Sequence, residues 1–118
     1  MSPATAVQSQ AVRRLTQVMH DTSIDATGMA RILDRDPKTV QRWLRHETEP
    51  RWEVREVVLS LNVVLERLAG VIDPASAEDW LFTPVPSLGH ERPVELIRDG
   101  RARDVLNLID ALSEGVFV

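Results

Sequence analysis

Residues 25–45 read DATGMARILDRDPKTVQRWLR, and the fold is decided by how this stretch is divided. In its second half Lys38, Gln41, Arg42 and Arg45 recur at steps of three and four, while Val40, Trp43 and Leu44 fall on the other side. That is the spacing of a helix with one polar, basic face and one packing face. In its first half Ala26, Met29, Ala30 and Leu33 form the packing set of a second short helix, with Asp25 placed to cap it. Asp34-Arg35-Asp36 lies between the two. Asp34 stands where a tight helix-to-helix turn needs a residue tolerant of positive φ, a position usually taken by Gly. Asp36 is the next N-cap, and Pro37 fills the first helical position, where its missing N–H costs nothing. These spacings are those of a helix-turn-helix, whose second helix enters the major groove of DNA. Arg42 and Arg45 suit guanine or phosphate, Gln41 suits adenine, and Lys38 suits a phosphate. Arg35, which stands where such turns commonly carry an apolar residue, and Thr39 complete the candidate DNA-binding set. The same pattern also describes a helical hairpin with a solvated basic face.

Upstream, Val12, Leu15 and Met19 give an amphipathic helix from about Gln8 to His20, and the residues before it are expected to form a disordered tail. Downstream, a long helix is expected from Arg51 to about Ala69. Its main stripe is Val54, Val57, Val58, Leu61, Val64, Leu65 and Leu68, and a narrower one, Leu59 and Val63, lies opposite. A helix that is apolar on two sides is either buried within its own chain or shared between subunits. Because helix-turn-helix proteins often bind paired half-sites as dimers, a homodimer is one expectation. Burial of both stripes against the chain's own C-terminal half is the other.

Composition narrows the classes. At 118 residues with 43% apolar content, the chain can build one compact core or two small subdomains sharing a helix. The longest apolar run, residues 57–65, is interrupted by Ser60 and Asn62 and falls short of the roughly 20 residues that span a bilayer. The N-terminal residues lack the basic start and apolar centre of a signal peptide, so a cytoplasmic protein is expected. The absence of cysteine excludes thiolate metal sites and cysteine nucleophiles. His20, His46 and His90 are scattered, there is no Gly-rich phosphate loop, and no carboxylate pair has a partner base. No catalytic residue, metal or cofactor is therefore expected, and the chain reads as a non-enzyme. The net charge of -4 is unevenly distributed, since residues 66–118 hold ten acidic residues against five arginines while the basic face sits in the first half.

The second half is dense in punctuation. Asp73-Pro74 opens a short helix through Trp80-Leu81-Phe82, Pro84 and Pro86 stop it, and Leu88-Gly89 makes a turn. Pro93 opens another short helix closed by Gly100, and a last helix at about residues 101–113 packs through Val105, Leu108, Ile109 and Leu112. The sequence then ends on Gly115-Val116-Phe117-Val118, three apolar residues that call for something to bind.

Trp80-Leu81-Phe82, Pro84, Leu88-Gly89, Pro93, Leu96-Ile97, Asp99-Gly100, Val105, Leu108-Ile109 and Glu114-Gly115-Val116-Phe117 together resemble the toxin-binding domain of Xre/MbcA/ParS-type antitoxins, especially the mycobacterial MbcA branch. The resemblance spans roughly Gln8 to the end. It departs at Val85, where the family commonly has Asn. It implies an all-α fold in which a helix-turn-helix (residues 1–66) is joined by the long helix to a small C-terminal toxin-binding domain (residues 67–118). It further implies an antitoxin whose partner is a RES-domain toxin that consumes NAD, and whose helix-turn-helix binds double-stranded promoter DNA. Carried over by position, the toxin-binding role falls on Trp80, Gly115, Val116, Phe117 and Val118, with the chain end obstructing the NAD pocket and Trp80, Pro93 and Gly100 as scaffold. Burying the three apolar tail side chains would contribute about 1.5–3 kcal/mol each before ordering costs. Two alternatives from other classes are a DNA-binding regulator without a toxin and a protein-binding adaptor that has lost DNA binding.

Overall fold

A computed structural model describes residues 3–115, with side chains from Gln10 onward. The described chain is all-helical: α1 (Pro3–Thr22), α2 (Ala26–Leu33), α3 (Pro37–Leu44), α4 (Trp52–Leu68), α5 (Ala77–Leu81), α6 (Pro93–Arg98) and α7 (Ala102–Ser113). Single 3₁₀ turns at Pro74–Ser76 and Pro86–Leu88 fill the two proline-marked connections. None of these helices is long and apolar enough to cross a membrane.

The first helix begins at Pro3, five residues before the expected Gln8. The reason is local: proline is well placed at a first turn, and the alanines and glutamines that follow are good helix formers even without an apolar stripe. Elsewhere the boundaries fall within a few residues of those read from the sequence. The stretch through Trp80 starts as the Pro74–Ser76 3₁₀ turn and becomes α-helical only at Ala77.

The core is organised on α4, which packs against α1, α6 and α7. Val58, Leu61, Val64, Leu65 and Leu68 are fully buried along it, and Val54 and Val57 pack at its edge. Leu15 and Val12 come from α1, Met29 and Ile32 from α2, Leu96 and Ile97 from α6, and Val105 and Ile109 from α7. A single apolar cluster therefore runs through both halves of the chain. Leu112, expected in the core, is only half-buried. Leu59 and Val63 are part-buried and lie outside the apolar cluster.

Helix ends are made by one repeated device. At α2 the Arg35 N–H donates to Ala30 O (2.9 Å) and the Asp34 N–H to Arg31 O (3.3 Å), a paired closure that requires a left-handed residue. Asp34 supplies it at φ 55°, in the conformation expected of it. The same pair of bonds closes α1 on Ser23, α3 on His46 and α6 on Gly100. Only the last of these residues is a glycine.

Candidate functional site

The polar face of α3 is assembled as its spacing requires. Asp25 caps α2 by accepting from the Gly28 N–H at 2.7 Å, and Asp36 caps α3 by accepting from the Lys38 N–H at 2.8 Å, with Pro37 at the first helical position. Val40 and Trp43 are buried beneath α3, whereas Lys38, Gln41, Arg42 and Arg45 are exposed on its outer side and Thr39 is half-buried. Arg35 lies exposed in the preceding turn, its guanidinium donating to the Asp34 carbonyl at 3.2 Å. The six sequence-predicted residues thus share one end of the molecule.

These cations lack an internal carboxylate partner, as do Arg55 on α4 and Arg103 on α7. Arg14, Arg31, Arg67, Arg92 and Arg101 each pair with a carboxylate, and Arg98 donates to backbone carbonyls. Among the described residues, Arg35, Lys38, Arg42 and Arg45 have no carboxylate within 4.0 Å. Arg51, which sequence reasoning passed over, behaves in the same way and borders a groove of about 430 Å³ together with Arg35, Thr39 and Arg42. Unpaired surface cations gathered at one end are suited to a polyanion, because no internal ion pair has to be broken to engage it. Glu49 also lines the groove, so the potential there is mixed.

The C-terminal candidates are distributed differently. Trp80 is half-buried and packs against the core cluster, which makes it at least partly structural. Pro93 is buried at the first position of α6. Gly100 (φ 79°) and Gly115 (φ 78°) both occupy left-handed positions. Gly115 is exposed just after α7, donating to Leu112 O at 3.1 Å. Val116, Phe117 and Val118 lie outside the described residues. Beside α6 and α7 a groove of about 530 Å³ has an apolar floor that includes Leu88, Leu96 and Leu108, and an ionic rim where Arg101 bridges Glu91 and Asp104 at 3.3 Å each.

The two regions are joined through Phe82 and α2. The Arg31 guanidinium lies 3.7 Å from the Phe82 ring centroid and also pairs with Glu78 at 3.4 Å. Arg98, on α6, reaches the end of α2, its Nε donating to Ile32 O (2.9 Å) and Nη2 to Arg31 O (2.7 Å). A cation over a helix C-terminus also meets the negative end of the helix dipole. Sequence reasoning missed this clamp, because an arginine in a six-residue helix carries no local signal of acceptors more than sixty residues away. Gly28 belongs to the same contact, since a Cβ there would meet Glu78 Oε1 at 2.6 Å. Among the described residues, no group of three His, Asp or Glu side chains is arranged to hold a metal.

Comparison with known proteins places this architecture. Residues 65–115 match the antitoxin Xre/MbcA/ParS C-terminal toxin-binding domain. The chain is 39% identical over 87 residues to the mycobacterial cidal antitoxin MbcA of Mycobacterium tuberculosis and of Mycobacterium bovis, a match covering 74% of this chain and 77% of each relative. A chain from the crystal structure of the M. tuberculosis MbcT–MbcA toxin–antitoxin complex superposes with a TM-score of 0.78 at 32% identity, covering 91% of this chain and 96% of that one. Antitoxins of this family are regulatory proteins and not enzymes. By its sequence and by its fold, the chain belongs to the Xre/MbcA/ParS-type antitoxins, in their MbcA branch.

Proposed function

We propose that this antitoxin neutralises a cognate RES-domain, NAD-consuming toxin by seating its C-terminal end, Gly115 to Val118, at the toxin's NAD pocket, and that it represses its own operon through α3. The observation that carries the toxin half is the near-complete structural likeness to a chain of the MbcT–MbcA complex, which extends over the C-terminal helices as well as the N-terminal ones. The exposed left-handed Gly115 supports the assignment, because it redirects the backbone as α7 ends. The residues that follow in the sequence, Val116, Phe117 and Val118, are all apolar. Trp80 then acts from within the fold, supporting α5 beneath the toxin-facing surface.

The DNA half is supported by the segregation of unpaired cations. In this reading α2 and α3 are a helix-turn-helix, Gln41, Arg42 and Arg45 face base edges, and Arg35, Lys38 and Thr39 approach the phosphates. Residues 1–66 form the operator-binding part and residues 67–118 the toxin-binding part, and a cytoplasmic homodimer presents two copies of α3 to a paired site. The test is deletion of residues 115–118 in a strain that co-expresses the toxin encoded beside this gene. NAD loss and growth arrest are expected to return while binding to the promoter is retained. Unchanged neutralisation by the truncated chain would refute the tail assignment.

A further inference from the structure

The connection between α3 and α4 carries an exposed hydroxyl in cationic surroundings. Thr48 lines the groove of about 430 Å³ described above, together with Arg35, Arg42 and Arg51. None of these three arginines has a carboxylate within 4.0 Å among the described residues. Glu49 lines the same groove, so three positive charges stand against one negative and an excess of two remains. A phosphate monoester on the Thr48 oxygen carries a charge of about -1.5 to -2 near neutral pH, with three strong acceptor oxygens. That is the charge the groove lacks. Other groove-lining hydroxyls do not meet the same conditions. Ser87 and Ser113 lie beside arginines already engaged, Arg101 with Glu91 and Asp104, and Arg67 with Asp110. Thr39 shares the groove with Thr48 but is half-buried in the first turn of α3, where its backbone is held helical. The backbone at Thr48 is open by comparison. Residues 45–51 separate the two helices, and neither the Thr48 nor the Glu49 N–H donates a backbone bond. Drawing this segment into the active site of a transferase therefore costs no backbone pairing of those two residues, a property of loops that carry function.

We infer that Thr48 is a phosphorylation site whose phosphate is held by Arg35, Arg42 and Arg51, and that the modification withdraws the basic face from DNA. The phosphate site stands on the groove alone, whereas its effect on the promoter rests on the operator-binding reading above. The donor is a nucleoside triphosphate and the catalyst a serine/threonine kinase. Thr48 Oγ1 attacks the γ-phosphorus, and the new Oγ1–P bond forms as the bond from that phosphorus to the β-bridging oxygen breaks. The nucleoside diphosphate leaves, and the hydroxyl proton passes to a base of the kinase. Once in place, the phosphate accepts from guanidinium groups that would otherwise reach the DNA backbone, and Arg35 and Arg42 belong to both sets. It also sets a negative charge beside the end of α3, where it repels the phosphates of an approaching duplex.

The test uses the full chain with phosphothreonine encoded at position 48 during translation. In a ³¹P titration the second ionisation of this phosphate is expected about one pH unit below that of a phosphopeptide spanning residues 44–52, because nearby cations favour the dianion. R42A combined with R51A should return it to the peptide value. Promoter affinity at physiological salt should fall by about tenfold or more, and the slope of log affinity against log salt should shrink by about 2, since two positive charges are now neutralised within the chain. T48V should bind the promoter as the unmodified chain does. In the native host, mass spectrometry of the isolated chain should find one phosphate on the peptide that contains Thr48. A phosphate that titrates as it does in the peptide, promoter binding that ignores it, or a Thr48 that is never phosphorylated in the host, in growth or after toxin activation, would each overturn the proposal. The titration involves no DNA, so a shifted ionisation in a chain whose unmodified form ignores the promoter would refute the operator reading and leave the phosphate site standing.

Discussion

Arg98→Ala is the perturbation that most directly tests how the two halves are joined. In the structure Arg98 donates a part-buried bond from Nε to Ile32 O at 2.9 Å and a more exposed one from Nη2 to Arg31 O at 2.7 Å. Hydrogen bonds from a charged donor contribute about 1.5–3 kcal/mol when shielded, and solvent reduces that toward about 0.5–1 for the exposed one. Among the described residues the Ile32 carbonyl, in the last turn of α2, accepts from no other donor outside its helix, so the loss is concentrated there. The combined cost is about 2 kcal/mol, which for a chain of this size lowers Tm by roughly 6–10 °C. Urea unfolding followed by circular dichroism measures it as a shift in midpoint at constant slope. Arg98→Met preserves most of the aliphatic packing and should lose nearly as much, because the bonds and not the stem carry the effect. A loss below about 0.5 kcal/mol in both variants would refute the clamp, and a loss in Ala that Met recovers would assign it to packing.

Three further outcomes follow from other parts of the chain. Asn62 is fully buried with a single long hydrogen bond and an unsatisfied Oδ1; Asn62→Leu is therefore expected to raise stability by about 1 kcal/mol in urea unfolding, and a destabilised variant would show that the amide has a structural partner. His46 closes α3 in a left-handed conformation at φ 61°; His46→Gly should gain about 1 kcal/mol, and no gain would mean that the imidazole itself contributes at that position. Arg42→Ala with Arg45→Ala should weaken promoter binding and reduce the slope of log affinity against log salt by about 2. An unchanged slope would remove these arginines from the DNA contact, whatever the toxin assay shows.

The features legible in the sequence are those whose physics is contained within a few residues. Asp25 and Asp36 as caps, Pro37 at a first turn, Asp34 in the left-handed region and Gly100 closing α6 are each determined by the backbone groups that immediate neighbours leave unpaired. The main stripe of α4 was legible for a similar reason, since periodicity states which side of a helix is buried. Periodicity does not state what lies opposite. The second stripe, Leu59 and Val63, reads the same whether its cover is the C-terminal half or a second subunit, and in the structure both residues are part-buried outside the apolar cluster. Arg98 was illegible for the complementary reason: its acceptors are more than sixty residues away, and nothing in the six-residue helix that carries it signals a distant pair of carbonyls.

That long-range contact changes how the two ends of the molecule relate. The sequence places the basic face and the apolar tail at opposite ends, which invites treating them as independent modules. In the structure the turn that sets the angle of α3 follows directly from α2, and the C-terminal end of α2 is held by a side chain from α6. The same helix also rests on α5, with Arg31 over Phe82 and Gly28 against Glu78. A displacement of α5 or α6 by about 1 Å would break hydrogen bonds at 2.7–2.9 Å, whose strength falls steeply with distance and angle. The helix that leads into the basic face, α2, is therefore seated on the same two short helices that support the C-terminal surface. A partner that moved α5 or α6 would act on the pose of α3 through these contacts on α2, and also on the core that Leu81, Leu96 and Ile97 share with α4.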